Sequence, residues 1–134
     1  TASTGEAGEE LLGIGHKLQR GSASVIGQVT EIGKPTIALD TADAEVVHAP
    51  NPYLPMTRSE MALPLIVKGA IVGALDVQSN RPNAFAEDDI QALTTLAAQI
   101  AVAIYECFNL LARGKRYGFT ITTSLHFYSF ILIY

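Results

Sequence analysis

The sequence predicts an α+β fold in which an antiparallel β-sheet is covered by other parts of the chain on both faces. Three observations support this. Two apolar stretches, residues 59–67 and 70–78, flank a two-residue Lys68-Gly69 turn, which is typical of a β-hairpin. A long apolar stripe runs through residues 86–113 and predicts an amphipathic helix. Three prolines between residues 50 and 55 exclude a regular helix or a central strand there.

The composition is that of one folded domain. The chain has 134 residues, of which 49% are hydrophobic and 16% are charged. This argues against disorder and provides enough apolar surface for a core. The net charge is −4 and basic residues do not cluster outside 113–116, so nucleic acid is a poor candidate partner.

Cys107 is the only cysteine, which excludes an internal disulfide and fits a cytoplasmic location. No uncharged apolar run reaches the length of about 20 residues that a membrane span needs.

Residues 22–33 predict a short helix, because Ser22 or Ser24 can cap its first amides and Gly33 is a suitable left-handed stop. Residues 36–40 then predict a strand.

The turn of the hairpin fixes a register and therefore two faces. The predicted pairs are Val67 with Ala70, Leu65 with Val72, Leu63 with Ala74, and Met61 with Asp76. Both faces are apolar, whereas a sheet with one wet face would alternate apolar and polar residues. Pro64 cannot donate to the ladder and is expected at a bulge or on an unpaired side. Glu60 and Asp76 fall at the outer end, where they are expected to be solvated or hydrogen-bonded.

The long helix has a clear start. Three acidic residues, 87–89, occupy its first turn, where the helix dipole favours negative charge. Ala86 holds the N-cap position, and Phe85 and Ile90 are spaced for a hydrophobic staple. The apolar stripe consists of Ile90, Leu93, Ala97, Ile100, Ile104, Cys107 and Leu111. Residues 117–134 differ from the rest of the chain: they lack Lys, Arg, Asp and Glu and are strand-prone.

Several segments, in order, resemble the GAF domain family. Residues 57–65 followed by 73–79 resemble its central hairpin, and residues 85–104 resemble its closing helix. Residues 27–40 resemble its earlier helix and strand. The resemblance covers about residues 1–106 and is strongest to GAF modules of bacterial multi-domain sensor histidine kinases.

The resemblance implies helices packed on one face of the sheet and a loop/short-helix lid over the other, with a small-molecule pocket beneath the lid. It also implies that the family's N-terminal strand is missing before Thr1. The expected organisation is an N-terminally truncated GAF-like sensor domain over residues 1–113 and an aromatic tail over residues 114–134. The tail is either non-native sequence or a strand that replaces the missing one.

The resemblance places seven candidate ligand-binding residues around that pocket: Ile37, Asp40, His48, Asn51, Tyr53, Arg58 and Ser59. The alternatives are a solvated loop for His48 and Asn51 and a turn role for Asp40. Arg58 is more readily explained by an ion pair with Glu60, two residues away on the same strand face.

The implied function is a small-molecule-sensing regulatory domain of a bacterial signal-transduction protein, which transmits ligand occupancy through its C-terminal helix to a covalently linked kinase or other output domain. The alternative is a ligand-free spacer that forms a homodimer through the 86–113 helix. A cyclic-nucleotide-binding domain is less favoured, because Asn80-Arg81 with Phe85 and Asp89 only loosely resembles the pattern of those members. The sequence identifies no cofactor.

Catalysis is not expected. The chain has neither a Gly-x-Ser-x-Gly elbow nor a His-Glu-x-x-His motif, and His16, His48 and His126 lack metal-ligand spacing. The family includes a methionine sulfoxide reductase and bilin-binding photoreceptors, but both need pocket cysteines. Cys107 lies on the helix stripe and is predicted to be a packed small hydrophobe.

Overall fold

A five-stranded antiparallel sheet and two helices make up the described part of the chain. The computed structural model describes residues 2–3, 23–43, 45–46, 48–52, 54–112 and 128–133. Its elements, in chain order, are β1 (Ala2–Ser3), α1 (Val25–Ile32), β2 (Thr36–Ala38), β3 (Ser59–Val67), β4 (Ala70–Ser79), α2 (Glu87–Ala112) and β5 (Tyr128–Ile133). The strand order is β1-β5-β4-β3-β2, with every neighbouring pair antiparallel. The predicted α+β class is confirmed.

The β3–β4 hairpin follows the predicted register only next to its turn. Lys68 and Gly69 both have positive φ, 51° and 80°, as in a type I′ turn, and Val67 pairs with Ala70. A β-bulge then shifts the register, so that Leu65 pairs with Gly73 and not with Val72. Every pair beyond it is displaced by one residue from the prediction.

The bulge puts different residues on each face from those expected. Leu63 pairs with Leu75, and Met61 pairs with Val77, while Asp76 lies opposite Ala62. Pro64 lies next to the bulge and beyond Ala62, where the pairing with β2 ends. Pro64 therefore lies both beside a bulge and on an unpaired side of the strand, the two positions predicted for it.

The hairpin separates two apolar clusters, one on each face of the sheet. The first lies under α2 and contains Met61, Leu63, Leu65, Val67, Leu75, Val77, Phe85, Ala97, Ile100 and Ala101. The second lies under α1 and contains Val25, Ile26, Val29, Ala38, Ala62 and Ala74. The three alanines from β2, β3 and β4 are small, which lets α1 approach the sheet closely. We call these the α2 face and the α1 face.

Helix α1 begins and ends where the sequence predicts. The Ser24 hydroxyl accepts a hydrogen bond from the Gly27 amide at 2.9 Å, and this caps the first turn. Gly33 adopts the left-handed conformation with φ 70° and donates its amide to the Val29 carbonyl at 2.9 Å.

Helix α2 starts with half of a capping box. Ala86 is the N-cap: its carbonyl accepts from the Ile90 amide at 3.0 Å, and its amide donates to Asp89 Oδ2 at 2.9 Å. Phe85 is buried and Ile90 packs against the same cluster, as the staple predicts. By length and composition alone, Glu87–Leu110 is long and apolar enough to cross a membrane. That test does not distinguish a span from a helix packed on a sheet, and Ala97, Ile100 and Ala101 are buried against the α2 face.

Residues 39–58, which we call the lid, connect β2 to β3. The described lid residues, 39–43, 45–46, 48–52 and 54–58, contain turns and bends but no helix or strand. The buried side chain of Leu54 and the half-buried Val46, which packs on the α1-face cluster, hold the lid against the body of the protein.

The sheet is extended beyond β4 by part of the aromatic tail. Residues 128–133 form β5, which pairs with residues 73–78 of β4 on one side and with β1 on the other. This accounts for the strand tendency of the tail. The predicted boundary at residue 113 stays a prediction.

Candidate ligand-binding site

Three polar side chains lie buried at the outer end of the α1 face. Glu60, Asp76 and Gln78 are 4%, 1% and 4% exposed, and Glu60 lies directly opposite Gln78 across the β3–β4 ladder. The side chains of alternate strand residues share a face, so Asp76 and Gln78 project to the same side as Ala74. The apolar hairpin therefore has a patch of buried carboxyl and amide groups on its α1 face, next to the lid.

Asp76 is the centre of this patch. Gln78 Nε2 donates to Asp76 Oδ2 at 2.7 Å, whereas Asp76 Oδ1 has no hydrogen-bond partner among the described residues. Burial raises the pKa of Asp76 well above its ordinary value, and the neighbouring Glu60 carboxyl group raises it further. An unpartnered buried acceptor is costly for the fold, so this oxygen is suited to a partner that the described residues do not supply.

Two lid residues contact the patch. His48 Nδ1 lies 2.5 Å from Glu60 Oε2, with side-chain exposures of 10% and 5%. Thr57 Oγ1 is within hydrogen-bond distance of Gln78 Oε1 at 2.7 Å and of the Leu54 carbonyl at 3.0 Å. The lid is thus connected to the buried polar groups at both of these points.

A second set of bonds fixes the two ends of the lid beside each other. Arg58 donates to both carboxylate oxygens of Asp40, at 3.0 and 2.7 Å, and this lowers the pKa of Asp40. The Thr41 amide donates to the Arg58 carbonyl at 2.8 Å, and its hydroxyl donates to the Thr57 carbonyl at 2.7 Å. These contacts continue the antiparallel geometry of β2 and β3 past their last paired residues.

The expected ion pair between Arg58 and Glu60 is wrong. Glu60 points into the patch and meets His48, whereas Arg58 precedes the first residue of β3 and is exposed. Extension of the β2–β3 register places Asp40 opposite Arg58, which is why the guanidinium group binds that carboxylate. Asp40 also accepts from the Ala42 amide at 3.0 Å, as its predicted turn role requires.

The other predicted site residues are dispersed. Ile37 lies opposite Met61 and packs against the α2-face cluster, on the other side of the sheet from His48. Ser59 is fully buried and its hydroxyl donates to the Arg81 carbonyl at 2.8 Å. Asn51 lies in the lid, where its carbonyl accepts from the Leu54 amide at 3.0 Å. Tyr53 lies outside the described residues.

The sequence prediction of the site did not include Asp76, Gln78 or Thr57, and it placed Glu60 with a different partner. A signal for them exists in the alternation of β4, where polar Asp76 and Gln78 interleave with apolar Leu75 and Val77. Such interleaving at the end of an otherwise apolar strand marks a face that needs polar partners.

The arrangement is suited to binding a cation by hydrogen bonds. Two buried carboxyl groups and an amide converge, and one carboxyl oxygen is unpartnered among the described residues. Within those residues, no group of three His, Cys, Asp or Glu side chains has the arrangement of a metal site. Cys107 is on α2, whose contacts are with the opposite face.

The family model of the GAF domain matches residues 2–104. The chain belongs to the GAF domain family. A GAF domain is in general a small-molecule-binding regulatory domain. The predicted position of the pocket stays a prediction. The closer resemblance to modules of histidine kinases stays a prediction. No characterised relative gives a significant sequence match.

Solved GAF structures share this fold. The GAF domain of a phosphoenolpyruvate-protein phosphotransferase from Coxiella burnetii superimposes with a TM-score of 0.58 at 26% identity, covering 72% of this chain and 56% of that one. A free methionine-R-sulfoxide reductase from Neisseria meningitidis, in complex with its substrate, has a TM-score of 0.56 at 29% identity, covering 66% and 50%. A type II reductase from Thermoplasma acidophilum, at 20% identity and a TM-score of 0.56, shares the fold alone. The chain spans between half and three fifths of the length of these three proteins.

Proposed function

We propose that this GAF domain is a non-catalytic sensor whose ligand is a small molecule with a protonated amine, bound between the lid and the α1 face. The observation that carries the proposal is the unpartnered Oδ1 of buried Asp76, next to Glu60. An ammonium group has three N–H donors and a positive charge, so it can satisfy this oxygen and also relieve the repulsion between the two carboxyl groups.

Free amino acids are the ligand class that fits best. The Neisseria meningitidis neighbour is a reductase of free methionine R-sulfoxide in complex with its substrate, and such a molecule carries an α-ammonium group. At 29% identity the likeness supports a related ligand class for this chain. The parent protein is proposed to be a cytoplasmic bacterial signalling protein that carries a kinase or another output domain.

Ligand occupancy is proposed to reach α2 through the central strands. Met61 and Val77 directly adjoin the site residues in sequence and project to the opposite face, where both are buried under α2. A ligand shifts the domain between two states only by its differential affinity for them. A ligand that repositions Glu60 and Asp76 acts on strands whose other face is the packing surface of the helix.

Ligand-observed NMR tests the proposal with free L-amino acids, including methionine sulfoxide, each paired with its deamino analogue. We expect at least one amino acid to bind while its deamino analogue does not. The Asp76→Asn variant should weaken that binding about tenfold or more, because a charge-assisted hydrogen bond contributes about 1.5–3 kcal/mol.

Asp88→Asn is the matched control, because it removes one exposed carboxylate from the first turn of α2 without touching the patch. It should bind as the unaltered chain does. If no amino acid binds, or if the deamino analogues bind equally well, the amine-sensor proposal is wrong.

The absence of catalysis is part of the same proposal. Cys107, the only cysteine of the chain, belongs to the helix on the far side of the sheet from Glu60 and Asp76. We expect no turnover of free methionine sulfoxide with a thiol reductant. Turnover that depends on the Cys107 thiol would show that the domain is an enzyme.

A ligand-free dimerising spacer is the second candidate, and the exposed apolar residues of α2 favour it. Leu96, Val102 and Phe108 are 39%, 54% and 55% exposed. Light scattering on Val102→Glu tests this candidate, with Gln99→Glu as a control that adds the same charge at an exposed polar position of the helix. A dimer that the first change abolishes and the control retains, combined with no amino-acid binding, would favour the spacer.

A further inference from the structure

The residue that covers the patch is itself a potential cation. His48 comes from the lid, contacts Glu60 at 2.5 Å and leaves the Glu60 side chain only 5% exposed. An imidazolium group and an ammonium group make the same kind of hydrogen bond to a carboxylate. A ligand amine that reaches Glu60 therefore meets the His48 imidazole, which can make the same kind of hydrogen bond to the carboxylate.

We propose that the His48 imidazole occupies the place beside Glu60 that a ligand amine takes, and that the amine binds by displacing the imidazole from Glu60. This inference rests on the proposed function and adds its regulation. Displacement releases the His48 side chain from the sheet, so the loss of this one lid contact reports that the ligand is bound.

Thr57 provides the fixed point against which the lid moves. Its bond to Gln78 and the Arg58–Asp40 pair hold the end of the lid next to β3. His48, twelve residues before Glu60, makes its hydrogen bond to the sheet through that one carboxylate within the described part of the chain. Loss of this bond leaves the lid held by Val46, by Leu54 and at its end near β3.

The competition depends on protons, because an amine and an imidazole titrate in different ranges. Imidazole groups as a class change charge between about pH 5 and 8, whereas an alkylammonium group stays charged throughout that range. An imidazolium group binds a carboxylate more strongly than a neutral imidazole does, and so competes better with an amine. The affinity for an amine should therefore rise as the pH rises.

Few other charged groups of the described residues surround this contact. Glu60 comes from β3, and Asp76 of β4 lies beside it. The described residues that α1 buries on this face are uncharged. In the lid, the remaining described charges are the exposed residues 43 and 45 and the Asp40–Arg58 pair at its base. Among the described residues, the contact between His48 and Glu60, with Asp76 beside it, is therefore the charged environment that a ligand amine meets on this face.

The test uses n-propylammonium chloride as the probe, with sodium chloride and n-propanol as controls for ionic strength and for the alkyl chain. In the unaltered chain, the dissociation constant should fall about tenfold between roughly pH 5.5 and 7.5, and the NMR signals of the His48 ring should move as the probe binds. His48→Gln removes the competing imidazole, so the probe should bind about tenfold more tightly at about pH 5.5. The pH dependence should be weaker and limited to that of Asp76, whose pKa is raised by burial.

Thr41→Val is the matched control, because it removes a lid hydrogen bond, Thr41 Oγ1 to the Thr57 carbonyl, without touching Glu60. It should keep the pH dependence of the unaltered chain. Equal effects of Thr41→Val and His48→Gln would mean that lid loosening alone matters and would overturn displacement. Probe binding with unmoved His48 signals, or failure of the probe to bind any variant, also overturns it. Amino-acid binding in the preceding assay would then survive as a separate result, so the two failures are distinguishable.

Discussion

The Asp76→Asn variant should make the domain more stable at neutral and mildly alkaline pH while it weakens ligand binding. In the unaltered chain, the Asp76 carboxyl group is almost fully buried and Oδ1 lacks a described partner. Asparagine keeps an oxygen for the 2.7 Å bond from Gln78 and places N–H donors at the other position, beside the Glu60 carboxyl group. The substitution thus converts an unsatisfied acceptor into a donor with an acceptor nearby.

The size of the effect follows from the cost of a buried polar group without a partner. That cost is about 1–3 kcal/mol, and more for a charged group. We therefore expect the free energy of unfolding to rise by about 1–3 kcal/mol. With a urea m-value of about 2 kcal/mol/M, the midpoint should move by about 0.5–1.5 M.

The raised pKa of Asp76 also determines how the free energy of unfolding changes with pH. Because the pKa of Asp76 is raised in the folded chain, the native state holds a proton over a pH range in which the unfolded state has released it. The free energy of unfolding then falls as the pH rises from the ordinary carboxyl range through the raised pKa. The contribution of Asp76 to stability is fully present below that range and lost above it, so the gain from asparagine should grow with pH.

Urea denaturation at a series of pH values between about 4 and 8 measures both quantities, with Asp88→Asn as the exposed control. If Asp76→Asn were destabilising at the alkaline end and left the pH dependence unchanged, the carboxylate would have to be well solvated or fully paired. The reasoning on its burial would then be refuted.

Three further predictions concern the elements that position the site. Ala86→Ser adds the missing half of the α2 capping box and should stabilise the chain by about 1 kcal/mol in denaturant melts; no change would place the N-cap elsewhere. Gly33→Ala should cost about 1 kcal/mol, because φ is 70° there and the new methyl group would lie 3.4 Å from Ile71; a stabilised variant would contradict this. Leu63→Ala should destabilise by about 3 kcal/mol by calorimetry, since Leu63 is fully buried under α2; a loss below about 1 kcal/mol would mean that the cluster collapses into the space.

Local sequence signals predicted the elements well. The caps at Ser24 and Gly33, the start of α2 at Ala86 and the Lys68-Gly69 turn each depend on one or two residues that act on their own neighbourhood. Local signals did not predict the register of the hairpin. A bulge responds to packing on both faces and leaves no mark in the alternation of apolar and polar residues along the strands. Counting from the turn was correct only as far as Ile66.

That single slip explains much of the error in the predicted site. Without the bulge, Asp76 would lie opposite Met61 and point to the α2 face. With it, Asp76 joins Glu60 and Gln78 on the α1 face, under the lid. His48 lies in the predicted lid, but its contact with the Glu60 carboxyl group could not be derived from spacing, because the lid between them is irregular. Ile37 was assigned to the lid side, yet it packs on the α2 face.

The placement of the site has a physical consequence for how the domain can signal. Polar groups buried without full pairing weaken a fold, and here they occupy the central strands and not the rim of the sheet. The same strands carry, one residue away, the apolar side chains on which α2 rests. A ligand that satisfies Asp76 removes a local penalty from the element that supports the helix. Under the proposed function, stabilisation of the site would therefore be coupled to α2 through β3 and β4, without any requirement for the lid to touch α2.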